Sequence, residues 1–135
     1  MGRQGAAVLA ALLASAQPAA ASEWLVCKAE GRQGPEIRVL LGAMNVIAVS
    51  RVDLTAGSQN WSTDPAVEGA GADRVTVGQA FEDDRGMMID LTDEAVDKVV
   101  AELRLSKASD GGDVAMGGTL LVAGHGVWPV ACIGP

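Results

Sequence analysis

The chain has only two cysteines, and they stand near its two ends. Each lies in a short apolar run that also holds a tryptophan: Trp24-Leu25-Val26-Cys27-Lys28-Ala29 and Val127-Trp128-Pro129-Val130-Ala131-Cys132-Ile133. In an oxidising compartment two cysteines have one possible connectivity. A Cys27–Cys132 disulfide would lay the first and last segments side by side and close most of the chain into one loop. In the chain-entropy picture a loop of roughly a hundred residues stabilises the fold by about 4–5 kcal/mol. The two runs are therefore predicted to be the first and last strands of one domain. Leu25, Cys27 and Ala29 share one face of the first, and Trp128, Val130 and Cys132 share one face of the last. Both faces are apolar, so the bridge is predicted to be buried beside Trp128, as a structural staple rather than a redox switch.

An oxidising compartment is suggested by the start of the chain. Arg3 supplies a positive charge, residues 6–16 (AAVLAALLASA) are uncharged and apolar, Pro18 breaks that run, and Ala19-Ala20-Ala21 gives the small residues of a cleavage site. The apolar run is shorter than the ~20 residues a spanning helix needs. Residues 1–21 are thus expected to be a cleaved signal peptide, leaving 22–135 as a single β-rich domain, exported to the periplasm or the extracellular space. The formal net charge of −7 comes from 17 acidic and 10 basic residues, and the basic ones are scattered singly. Such a chain is a poor partner for nucleic acid or for an anionic membrane surface, which demand clustered Lys and Arg.

Between the two ends, apolar residues alternate with period two, and Gly, Pro, Asn and Asp punctuate the runs. Ile37, Val39 and Leu41 form one such face. Residues 46–54 (VIAVSRVDL) form a strand apolar on both faces at its start. Val75 and Val77 open a run towards Phe81, and Met87 to Leu91 follows after the acidic turn 82–86, as in a hairpin. Thr119 to Ala123 precedes the final strand, where Pro129, lacking an N–H donor, calls for an edge or a bulge. Residues 92–105 (TDEAVDKVVAELRL) fit both periods. Thr92 suits an N-cap and Asp93 and Glu94 a first helical turn, whereas Val99, Ala101, Leu103 and Leu105 alternate. A short helix near Asp93–Lys98 followed by a strand over 99–107 accommodates both, with Ser109-Asp110-Gly111-Gly112 as the next turn. Residues 55–73 are rich in turn formers and read as one long irregular segment. About eight short strands of this kind predict an all-β antiparallel barrel or sandwich.

Residues that could carry function are few. Trp61, in the irregular segment, is either an exposed aromatic for ligand or partner contact or a side chain folded back to cap the core; the burial habit of tryptophan favours the second. Asn60-Trp61-Ser62 also matches a glycosylation tripeptide, a pattern too common to carry weight. His125, the single histidine, sits between Gly124 and Gly126. It could contact a ligand, or act as a general base if a carboxylate oriented it; otherwise it is a turn residue with its ring in water or against Trp128. With one histidine, and both cysteines expected to be oxidised, a zinc site of the usual His/Cys type is nearly excluded. Asp110 and Asp113 flank a flexible glycine turn and are weak candidates for a calcium-type site, without the aspartate spacing or terminal Glu of the helix–loop–helix motif. No nucleophile elbow, phosphate-cradling loop or dinucleotide fingerprint occurs, so no cofactor is implied. These features support an exported non-catalytic β-domain that binds a small ligand or a protein partner. The alternatives are a small enzyme using His125 or an acidic pair, and an acidic metal-binding module.

Overall fold

The computed structural model describes residues 22–43, 46–68 and 71–135; the expected leader, residues 1–21, lies outside them. Nine strands follow one another around a closed barrel: β1 (Glu23–Ala29), β2 (Glu36–Leu41), β3 (Val49–Ala56), β4 (Gln59–Ser62), β5 (Asp73–Glu82), β6 (Gly86–Asp93), β7 (Val99–Asp110), β8 (Asp113–Val122) and β9 (Gly126–Ile133). The fold is all-β, as the alternation predicts. Leu25, Cys27 and Ala29 point inward from β1, Ile37 and Val39 from β2, Ile89 and Leu91 from β6, and Ala101, Leu103 and Leu105 from β7, all buried.

The barrel closes where β9 meets β1 along a ladder of four pairs, with Cys27 directly opposite Cys132. These two form the disulfide, 105 residues apart in sequence with Cα atoms 4.0 Å apart. The bridge thus covalently reinforces a short closing seam. Cys27 is fully buried and Cys132 half-buried, with Val130 between Cys132 and Trp128 along the inward face. Pro129 lies one residue beyond the last β1–β9 pair, Ala29 with Val130, so at that point β9 is paired only with β8. The missing N–H costs no ladder bond on the β1 side.

Three predictions need correction. Asp93–Lys98 is a turn, not a helix. The Asp93 carboxylate accepts the backbone N–H groups of Asp97 and Lys98 at 2.7 and 3.2 Å, and the Asp93 N–H donates to the Lys98 carbonyl at 3.0 Å. Val96 adopts φ 60°, outside helical space. The first-turn aspartate therefore caps a β6–β7 connection, and the alternating pattern prevails. Among the described residues one short helix occurs, α1 (Pro65–Glu68), and it lies instead in the segment read as irregular. That segment also contains a further strand, β4, joined to β3 by a tight turn at Gly57-Ser58 with Gly57 at φ 61°. The turn formers that mask β4 in the sequence are what make its hairpin possible. Finally, the barrel is not wholly antiparallel: β4 and β5 pair in parallel through Trp61–Asp73 and Ser62–Arg74. A parallel pair needs a crossover, and α1 lies in it. A polar latch on the outer wall fixes its start. The Ser62 hydroxyl donates to Asp53 at 2.7 Å, Arg51 binds the same carboxylate, the Asp64 N–H donates to Ser62 Oγ at 3.0 Å, and the Val52 N–H donates to Thr63 Oγ1 at 3.0 Å. Asp53 and Ser62 are buried; Asp53 Oδ1 accepts from both Ser62 and Arg51, and Oδ2 has no hydrogen bond but faces the Arg51 guanidinium in an ion pair at 2.9 Å.

Two local devices position the open end of the barrel. A register shift between Val77 and Gln79 reverses the facing of β5. Val75 and Val77 point inward before it; Ala80 and Glu82, opposite the inward Ile89 and Met87, point inward after it, and Phe81 is turned out, 54% exposed. On β8, Gly118 lies so close to β7 that a Cβ would stand 1.9 Å from the Arg104 carbonyl oxygen. Only glycine permits that approach, which is how a barrel wall bends sharply.

Candidate functional site

One row of inward residues crosses six strands through the register: Met116, Cys132, Cys27, Ile37, Leu54 and Trp61. Strands tilt in a barrel, so such a row descends from one end to the other. Its two termini differ in kind. Trp61 is buried, 7% exposed, and its ring meets that of His125 edge-on with centroids 5.3 Å apart. His125 stands in the β8–β9 turn, whose Gly124 and Gly126 take φ 77° and 147°. The two aromatic residues singled out in the sequence are thus brought together, with His125 packed on Trp61 rather than on Trp128. No hydrogen bond from the His125 ring to a carboxylate occurs among the described residues. Asp110 and Asp113 face each other across the β7–β8 turn. No group of three or more His, Cys, Asp or Glu side chains placed to hold a metal ion occurs among the described residues.

At the Met116 end the barrel is open. A pocket of about 270 Å³ enters the mouth, floored by Leu25, Leu41, Met87 and Met116, with Val114 and Pro135 on its rim. Glu82, Asp84, Lys107 and Ser109 complete the wall. Lys107 and Ser109 are there because β7 keeps its alternation past Leu105, so the inward positions change from apolar to polar as the strand leaves the core. Glu82 is there because of the β5 register shift. The two meet in an ion pair, with side chains 18% and 31% exposed. The Lys107 backbone N–H donates to the Arg85 carbonyl at 2.7 Å, tying β7 to the β5–β6 turn.

That turn is internally braced. The Asp83 carboxylate accepts the backbone N–H groups of Arg85 and Gly86 at 2.8 and 2.9 Å, and these two bonds hold its carboxyl below the usual carboxylate range. Asp84, next along, is exposed and makes no ion pair or hydrogen bond among the described residues. The mouth therefore combines an apolar floor, a neutralised Glu82–Lys107 pair and one free carboxylate.

Sequence reasoning missed this site. Lys107 was within reach, since extending the Ala101, Leu103, Leu105 alternation lands on it. Glu82 was not, because the shift near Gly78 has no unique sequence mark.

Fold and site together define a small disulfide-closed β-barrel with one plugged end and one open amphipathic mouth. Comparison with family models, curated proteins and solved structures returned no match.

Proposed function

We propose that this chain is an exported, non-catalytic binding protein that holds a small apolar ligand in the open mouth of its barrel. The observation that carries the proposal is the pocket at Leu25, Leu41, Met87 and Met116. Its 270 Å³ exceeds the roughly 150 Å³ that accommodates benzene and falls just short of the drug-sized range that begins at about 300 Å³. Methionines on the floor suit a site that adapts to an apolar guest. Export, to the periplasm or the extracellular space, is supported by the leader-like residues 1–21 and by the disulfide, which persists in oxidising compartments. An enzymatic role for His125 would need an orienting carboxylate, and a metal-binding role for Asp110 and Asp113 would need further ligands.

The test is binding of an uncharged naphthalene dye, followed by its fluorescence. Val114 is 66% exposed on the rim, so Val114→Trp can obstruct the mouth without disturbing the core. The substitution should weaken dye binding by at least about tenfold, a loss of about 1.4 kcal/mol, at an unchanged melting temperature. Undiminished binding would move the site elsewhere. The second reading, a protein partner, would then gain from the outer wall, where Phe81 beside Met88, Gly118 and Thr119 lines an open groove of about 510 Å³.

A further inference from the structure

We infer that the ligand of the mouth carries a single positive charge on an apolar body, as an alkyl or aryl amine does. The inference rests on the mouth being the ligand site; the apolar pocket makes the site, and charge selects its occupant. Lys107 is the one basic residue among those lining the pocket, and Glu82 already neutralises it. The charge left over at the wall is the unpartnered carboxylate of Asp84. An ammonium beside Asp84, with its hydrocarbon on Met116 and Leu41, satisfies both halves of the mouth. A carboxylate ligand would confront Asp84 or have to displace Glu82 from Lys107. The nearby β7–β8 turn adds Asp110 and Asp113, and a mouth with low-dielectric walls focuses such a field.

Octylamine, octanol and nonanoate share an octyl chain and differ only in the head group, and their displacement of the uncharged dye from the oxidised protein tests the inference. At low salt octylamine should displace the dye at a concentration about fivefold lower than octanol, the scale of one exposed ion pair, and nonanoate should be weakest. At 1 M salt, where screening acts within about 3 Å, the three should converge. Asp84→Asn should bring octylamine to the level of octanol, with an unchanged melting temperature showing that the variant is folded. Nonanoate binding as tightly as octylamine, or an amine preference that survives in Asp84→Asn, would overturn the inference while leaving the mouth as the site. Failure of the dye and all three compounds to bind would overturn both.

Discussion

The two ends of the barrel are made from the same alternating strands, yet their inward positions are filled differently. At the plugged end Trp61, buried and capped by the His125 ring, occupies the interior, with Trp128 half-buried on β9. At the open end the corresponding positions carry Met87, Met116, Glu82 and Lys107 around a pocket. The buried Trp61 ring, with the exposed His125 ring packed on it, fills one end; flexible thioethers and an ion pair leave the other accessible. The difference shows how a small barrel can spend its few aromatics on stability at one end and keep a cavity at the other. The disulfide lies on the row of inward residues that joins the two ends, so it holds closed a seam shared by both.

The contrast can be broken most severely at Trp61. Trp61→Ala removes a buried aromatic and should cost about 3–5 kcal/mol, measured by urea unfolding. Met116→Ala, at a half-buried site of the mouth, should cost no more than about 1–2 kcal/mol, below the range for fully buried methionine. Equal losses at both positions would mean that the mouth is as much a part of the packed core as the plug.

A smaller effect concerns pH at the open end. Two backbone N–H groups favour ionised Asp83, so its folded pKa lies below its unfolded value. Its support of the β5–β6 turn is therefore complete above the ordinary carboxylate pKa and is lost as the pH falls through the lowered folded value. An NMR titration should show the Asp83 carboxyl ionising at lower pH than an aspartate in a short peptide, with the Arg85 and Gly86 amide signals moving in step. Titration at the peptide value would remove the brace from this side of the mouth.

Much of this fold is legible in the sequence, because burial on one face imposes period two. The inward faces of β1, β2, β6 and β7 follow directly, as does the pairing of the first and last strands through Cys27 and Cys132. Where the sequence misleads, a local hydrogen bond or register shift outweighs a pattern. Asp93 has the chemistry of a helix start and uses it to cap a turn. The β4 strand hides among the turn residues that fold it into a hairpin. The register shift in β5 sends Phe81 outward and Glu82 inward, against the simple alternation set by Val75 and Val77. The last of these matters most for the site, since the wall of the mouth depends on a facing that a single residue slip reverses.

The claim that one end binds and the other is sealed is tested most directly by mapping backbone and methyl NMR shifts while octanol is titrated into the oxidised protein. The account predicts saturable shifts at Leu25, Leu41, Met87 and Met116, with Trp61 and His125 unmoved. Shifts concentrated at Trp61 and His125, with the methionines silent, would contradict it.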